Sequence, residues 1–126
     1  MSLQVAAGWE FDVERGPHCL FVRLHAPANI FEEDASLARR IWDTLDNNLC
    51  RRVVIEMDEL TILPSYLIGQ LIQLQKRVHA NDGFMRICGL RPECASLLEI
   101  HRLGDRLYPY ADRHAAVMGH VVAKPR

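Results

Sequence analysis

An apolar strand, a helix and a second apolar strand follow one another directly in the middle of this chain, and this succession limits the folds that it can adopt. The first strand is Val53-Val-Ile-Glu-Met57, a run typical of a central strand covered on both faces. Apolar residues at helical spacing follow from Leu67 to Val78, and Asn81-Asp82-Gly83 ends that helix with residues that favour left-handed turns. Phe84 to Cys88 is the second strand. Short connections between these elements predict a right-handed βαβ unit with parallel strands.

Two more strands are predicted before this unit. Trp9, Phe11 and Val13 alternate with acidic residues, which is the pattern of a strand with one face in water. After a Gly-Pro turn, the run from His18 to His25 is rich in β-forming residues and places alternate apolar residues on one face. We expect this second strand to return antiparallel to the first, and Pro27 to end it.

Three further helices are predicted around this framework. In the first, Asn29 and Glu32 resemble a capping box, and Asn47-Asn48 ends the helix. Its expected apolar positions are Leu37, Ile41, Leu45 and Leu49, with Trp42 beside them. The next helix begins at Pro92 and ends at Gly104, with Cys94, Leu97, Leu98 and His101 on one face. Leu107 to Tyr110 forms an extended link, and Ala111 to Met118 a last helix.

Together these elements predict one α/β domain over residues 1–126, with a core of about residues 8–118 and a frayed tail from 119 to 126. The architecture is a mixed sheet of four or five strands with the helices packed mainly on one face. Fifteen basic and sixteen acidic residues give a net charge of −1, which excludes the basic footprint of a nucleic-acid-binding protein. No apolar segment is long enough to insert into a membrane, so we expect a cytoplasmic protein.

Cysteines and histidines give no sign of a metal or cofactor site. Cys19, Cys50, Cys88 and Cys94 lie in apolar segments, which fits buried free thiols in a reducing compartment. The sequence has no CxxC motif and no pair of histidines at zinc-ligand spacing. Cys88 and Cys94 flank a turn and could approach each other, although core thiols are the commoner arrangement. We therefore expect no metal, no cofactor and no catalytic residue.

Three segments carry a resemblance to a known family. They are Val53–Leu63, Asp82–Glu93 with its Gly-Leu-Arg-Pro turn, and Leu97–Tyr110. In order and separation they resemble the central strand, the glycine turn with the following helix entry, and the closing segment of a STAS domain. This module occurs in bacterial anti-sigma-factor antagonists and in the cytoplasmic tails of sulfate transporters. The resemblance implies a bacterial protein of signal transduction and transcription regulation that binds another protein.

Ser65 is the residue at which the resemblance implies a switch. By position it matches the serine that a combined kinase and anti-sigma factor phosphorylates in antagonists of this family. Pro64, Tyr66 and Leu67 stand where the family has Asp, Ser or Thr, and Gly. The alternative is that Ser65 only caps its helix, with the hydroxyl accepting a backbone N–H two or three residues on.

The predicted function is non-enzymatic binding of a regulatory protein partner, possible partners being an anti-sigma factor that is also a serine kinase, or a transport protein. The predicted docking residues are Pro64, Ser65, Tyr66, Leu67 and Gly69. Tyr66, Leu67 and Ile68 have two interpretations, an exposed patch or core packing. The alternative function is a constitutive scaffold or transport-complex subunit without a phosphoswitch. An uncovered leading strand would also permit a homodimer.

Overall fold

The computed structural model describes residues 9–31, 33–103 and 106–119. Glu32, Gly104 and the part of the predicted tail (119–126) that follows Gly119 lie outside the described residues. The strands are β1 Glu10–Arg15, β2 Leu20–His25, β3 Arg52–Glu56, β4 Phe84–Cys88 and β5 Pro109–Tyr110. The helices are α1 Leu37–Asn47, α2 Ser65–Ala80, α3 Pro92–Ile100 and α4 Arg113–Met118.

The five strands form one mixed sheet in the order β1-β2-β3-β4-β5. β1 pairs antiparallel with β2, and all later pairs are parallel. The predicted mixed sheet and the parallel strands of the βαβ unit are thus confirmed. Part of the predicted extended link is β5, where Pro109 pairs with Ile87 at the edge of the sheet. An edge position tolerates proline, because its missing N–H removes no bond from a second neighbour.

The helices lie mainly on one face of the sheet, as predicted. The main core contains apolar residues of α1, α2 and α3 together with Leu20, Val22, Leu24, Val53 and Ile55 of the strands. α4 covers a smaller cluster on the opposite face, formed by Cys19, Phe21, Val54, Cys88 and Ala116. β3 is therefore buried on both faces, which the continuous apolar run of its sequence predicted.

The start of α1 differs from the prediction. The helix begins at Leu37 instead of following Asn29, whose side chain accepts the N–H of Phe31 at 3.1 Å in a local turn. Asp34 accepts the N–H of Ser36 at 2.9 Å and forms a second such turn. Polar side chains that bond to their own backbone compete with helix formation, so the helix starts later. Its end at Asn47 is confirmed, but Leu49 lies beyond it, 90% exposed.

The turn after α2 has the predicted left-handed chemistry. α2 ends at Ala80, and Asp82 has a φ of 63°. A side chain at Gly83 would place its Cβ 1.8 Å from the carbonyl oxygen of Arg51, so only glycine fits there. The turn after α2 therefore packs directly against Arg51, the residue before β3.

The last two helices confirm part of the predicted pattern, but α3 ends at Ile100, before its predicted end at Gly104. α3 begins at Pro92 and buries Cys94 and Leu98, but His101 is exposed at the end of the helix instead of lying on its apolar face. Cys88 belongs to the α4 cluster and Cys94 to the main core, so the two thiols lie on opposite faces of the sheet. α4 is capped by Asp112, which accepts the N–H of Ala115 at 2.9 Å.

Candidate functional site

The loop from Met57 to Pro64 and the first turn of α2 form the candidate site. β2, β3 and β4 are parallel, so their carboxyl ends meet at one edge of the sheet, the usual place for a site in an α/β fold. The loop leaves β3 at this edge and enters α2 at Ser65. Met57, Leu60 and Leu63 are buried and anchor the loop, while Asp58, Glu59, Thr61 and Ile62 are exposed.

Ser65 is the first residue of α2, and it does not cap the helix. Pro64 holds the cap position with φ −65° and ψ 148°, and α2 has no side-chain cap bond. The N–H groups of Leu67 and Ile68 reach the carbonyl oxygen of Pro64 at 3.1 and 3.3 Å. The N-cap interpretation is therefore wrong, because proline's fixed φ fits the cap position and moves Ser65 one residue into the helix. Ser65 is exposed, and its hydroxyl forms no hydrogen bond with the described residues.

Tyr66, Leu67 and Ile68 are part of the packing beneath the site. Leu67 is 0% and Ile68 8% exposed, which favours core packing over an exposed patch. The Tyr66 hydroxyl accepts the indole N–H of Trp9 at 2.5 Å and donates to the carbonyl oxygen of Ile30 at 2.6 Å. These bonds tie the first turn of α2 to the beginning of β1 and to the loop after β2.

Gly69 lies one helical turn after Ser65 and is exposed. A Cβ added at this glycine would have no atom within 4 Å. Glycine inside a helix costs about 1 kcal/mol relative to alanine, and the described part of the chain supplies no steric reason for it. Bare helix backbone beside an exposed hydroxyl suits the close approach of another molecule.

Two exposed apolar side chains accompany Ser65 and Gly69. Ile62 is 42% exposed in the loop before α2, and Phe31 is 64% exposed. Phe31 follows Ile30, which Tyr66 holds against α2. We name this exposed set the helix-entry surface; it comprises Phe31, Thr61, Ile62, Ser65 and Gly69. Of the predicted docking residues, Ser65 and Gly69 are exposed, Tyr66 is half-buried, and Pro64 and Leu67 are buried below the surface.

A histidine joins the loop to the first two strands. His25 ends β2, with Nδ1 2.8 Å from a Glu59 oxygen and Nε2 2.8 Å from an Asp12 oxygen. The hydrogen bonds with Glu59 and then with Asp12 raise the pKa of His25 above its ordinary value. No sequence pattern predicted this contact, because Glu59 lies 34 residues from His25 in the chain.

A second unpredicted cluster ties α4 to the sheet. Arg113 donates from Nε and Nη2 to the two carboxylate oxygens of Glu56, both at 2.9 Å. It also donates to Glu14 at 3.0 and 3.1 Å and lies 4.0 Å from the ring centre of Phe21. The hydrogen bonds to Glu56 and then to Glu14 raise the pKa of Arg113. Glu56 is 6% exposed, and such a buried carboxylate requires a paired cation.

The described residues contain no group of three or more His, Cys, Asp or Glu side chains placed to hold a metal ion. Over the same residues, every helix is too short or too polar to cross a bilayer.

A five-stranded mixed sheet, with three helices on one face and a fourth on the other, defines a small α/β domain whose parallel strands lead toward the start of α2. The family model of the STAS domain matches residues 10–116, so the chain belongs to the STAS domain family. No curated protein sequence matches the chain.

Solved structures agree with this fold. An anti-sigma factor antagonist from Mycobacterium paratuberculosis has a TM-score of 0.71 at 14% identity, covering 93% of this chain and 97% of that one. A putative anti-sigma factor antagonist from Thermotoga maritima has a TM-score of 0.72 at 11% identity, covering 86% and 92%. The Bacillus cell fate determinant SpoIIAA in its phosphorylated form has a TM-score of 0.61 at 13% identity, covering 88% and 100%. At these identities the likeness establishes the fold.

Proposed function

We propose that this chain is a non-enzymatic module that binds a regulatory protein through the helix-entry surface, and that phosphorylation of Ser65 switches the binding off. The observation that carries the proposal is the exposed Ser65 hydroxyl at the first position of α2, one turn before the exposed Gly69. Structural neighbours named as anti-sigma factor antagonists support a partner of the anti-sigma factor type. The protein would then act in the cytoplasm, in signal transduction leading to transcription.

The position of Ser65 would accommodate a phosphate in the free protein. A phosphoserine adds roughly −1.5 to −2 charges. The N-terminus of a helix favours an anion by roughly 0.3–1 kcal/mol, and α2 has no acidic residue in its first turn. A partner packed flush on the same surface would instead have to desolvate the phosphate. Phosphorylation would thus weaken the complex more than it affects the free protein.

Side-chain chemistry supports a binding role over catalysis. Among the described residues, no serine or cysteine is hydrogen-bonded to a histidine, the arrangement that activates a nucleophile. His25 contacts two carboxylates. The thiol of Cys88 is buried, which raises its pKa to about 12 and keeps it protonated.

The phosphoswitch is tested with a candidate partner, such as an anti-sigma factor or serine kinase encoded beside this gene. We expect mass spectrometry to find phosphate on Ser65 after incubation with that kinase and ATP. The unmodified protein and Ser65→Asn should bind the partner, whereas the phosphorylated protein and Ser65→Asp should not. Asn and Asp have nearly the same shape, so this pair isolates the charge. An unmodified Ser65 together with unchanged binding by Ser65→Asp would overturn the switch.

The docking surface is tested separately at Gly69. We expect Gly69→Gln to abolish binding, because its side chain would occupy the space that the bare helix backbone leaves open. Ala80→Gln, an exposed change at the opposite end of α2, is the matched control and should bind normally. Equal binding by both variants would place the partner elsewhere on the protein.

A constitutive scaffold or transport-complex subunit is the second candidate. The observation that favours it is the packing around Ser65, where Pro64 is buried and Tyr66 is fixed by two hydrogen bonds. A stiff loop of this kind is a poor fit for a kinase active site that must bend around its acceptor. In this case Gly69→Gln abolishes binding, but Ser65→Asp leaves it unchanged.

A further inference from the structure

The contacts of His25 fix its protonation state by geometry. Its two ring nitrogens each lie 2.8 Å from a carboxylate oxygen, one on Asp12 in β1 and one on Glu59 in the loop. A neutral imidazole has a single N–H and can donate to only one of them. Ionised carboxylates only accept hydrogen bonds, so both contacts together require the imidazolium form.

The charges around His25 also favour the imidazolium. The groups that face it from β1, from β2 itself and from the loop are Glu10, Asp12, Arg23, Asp58 and Glu59. Arg23 is the one cation in this set, and it is engaged with Asp58 at 3.5 Å and with Glu56 at 3.8 Å. From α4, Arg113 binds Glu14 and Glu56, further along the sheet. The carboxylates beside His25 therefore outnumber the cations.

Glu59 belongs to the exposed side of the loop that leads to the helix-entry surface. The buried side of this loop is anchored by Met57, Leu60 and Leu63, and the N–H of Leu60 bonds to the carbonyl oxygen of Met57 at 3.1 Å. Among the described residues, the side chain of Glu59 makes its hydrogen bond with His25. Loss of this contact would release Glu59 and the exposed residues that follow it, while the buried anchors and the contact between Arg23 and Asp58 stay in place.

We propose that His25 is a proton-dependent clasp, which in its imidazolium form holds the loop before α2 against β1 and β2 and in its neutral form releases it. The consequence for partner binding rests on the proposed function, since Thr61 and Ile62 of the helix-entry surface follow Glu59 directly. The partner then binds more tightly when the clasp is closed, because less loop entropy is lost on binding.

The direction of the pH effect follows from the hydrogen bonds. Contacts with Glu59 and Asp12 raise the pKa of His25, so the clasp is complete below about pH 6.5, the ordinary pKa of histidine. Its contribution to stability is lost as the pH rises through the higher pKa of the folded state. Loop order should therefore fall as the pH rises through the pKa of His25 in the folded protein.

The clasp is tested by NMR titration of the isolated protein from pH 5 to 9. We expect the His25 ring to titrate above the ordinary histidine pKa, and the backbone amides of Glu59 and Thr61 to shift with the same midpoint. Asp12→Asn should lower the midpoint. Control variant His18→Gln, which replaces an exposed histidine of the β1–β2 turn, should leave the loop titration intact, whereas His25→Gln should remove it. A His25 midpoint at or below the ordinary value, or loop amides that do not follow it, would overturn the clasp.

Binding measurements with the candidate partner separate the clasp from the proposed function. Affinity of the wild-type protein should fall severalfold between pH 6 and pH 8.5, and the fall should be smaller in His25→Gln. An affinity that changes equally in both proteins would disprove the link to docking. Failure of the proposed function appears instead as an absence of binding at every pH, and the NMR titration still decides whether the clasp exists.

Discussion

Ser65 lies one position inside α2, and this shift of a single residue changes what its hydroxyl does. An N-cap side chain is part of the helix and is needed for its stability. The first helical residue has no such task, because Pro64 already supplies the carbonyl oxygen that the first turn bonds to. The Ser65 hydroxyl is thus available for a phosphate or a partner without cost to the fold.

Replacement of Ser65 tests this position directly. We expect Ser65→Ala to change the free energy of unfolding by less than about 0.5 kcal/mol, since it removes no hydrogen bond to a described residue. Asp112→Ala is the matched control, because Asp112 does cap α4 through the N–H of Ala115. Its loss should cost about 1 kcal/mol. Urea denaturation of the two variants compares them, and a loss of 1 kcal/mol in Ser65→Ala would show that the hydroxyl caps α2 after all.

The place of Ser65 at the start of α2 could be predicted from the sequence, because a strand, a loop and a helix follow one another around it. Its role as a docking or switch residue stays a prediction, and contacts that span the fold could not be predicted. The partners of Tyr66 lie 57 and 36 residues away in the chain, and no sequence pattern links a tyrosine to a distant Trp9 or Ile30. The same is true of His25.

Among the helices, α2 supplies a hydrogen-bond acceptor that the start of α1 lacks in its own sequence. α1 has no side-chain N-cap of its own, but the buried Gln70 of α2 accepts the N–H of Ala38 at 2.8 Å. The periodicity of α1 predicted that the helix exists and where it ends. Its start was missed because local turns at Asn29 and Asp34 replace the first two turns of the expected helix.

α4 depends on a charged contact for its place on the sheet. The helix has six residues and buries Ala116, while Arg113 at its start binds the buried Glu56. We expect Arg113→Met to lower the free energy of unfolding by about 2–3 kcal/mol, because it leaves Glu56 buried without its main cation. Urea denaturation at pH 7 measures the loss.

A matched arginine provides the control for this contact. Arg51 has the same exposed fraction of 35%, contacts Asp46 at 2.9 Å and lies over the ring of Trp42. Asp46 is 57% exposed, whereas Glu56 is 8% exposed in its side chain. Arg51→Met should therefore cost about 1 kcal/mol or less. Equal losses in the two variants would mean that burial of Glu56 does not determine the strength of its pairing with Arg113.

At the scale of the whole molecule, burial divides the four free thiols into two groups. Cys19, Cys88 and Cys94 are buried, and burial raises the pKa of each of these thiols. Cys50 is half-buried. Because the thiolate is the reactive form, we expect a thiol reagent at pH 8 to modify Cys50 rapidly and the other three only as the protein unfolds.

Mass spectrometry of the labelled peptides checks this expectation. Cys50→Ala should remove the rapid phase, and in denaturant the remaining three thiols should react together. Rapid labelling of Cys88 in the native protein would contradict the packing of α4 over the second face of the sheet.

Sheet architecture was the most predictable property of the whole molecule. The continuous apolar run predicted that β3 is buried, because burial on both faces imposes that pattern. The alternation in β1 was a weaker guide, since Phe11 is half-buried but Val13 is 42% exposed. The exception was Glu56, a charged residue inside the buried strand. Its partner Arg113 lies 57 residues away in α4, and no sequence pattern links the two residues.

The strand order of the sheet is also the order of the strands in the chain, and this has a consequence for how the protein folds. Each strand after β1 can add beside the strand made immediately before it, and no strand has to enter between two that are already paired. Because the strands that pair are neighbours in the chain, the loops that close on pairing are short. Little conformational entropy is therefore lost at each step. A polypeptide emerging from the ribosome could therefore build its sheet strand by strand, from the β1–β2 hairpin toward the two-residue β5.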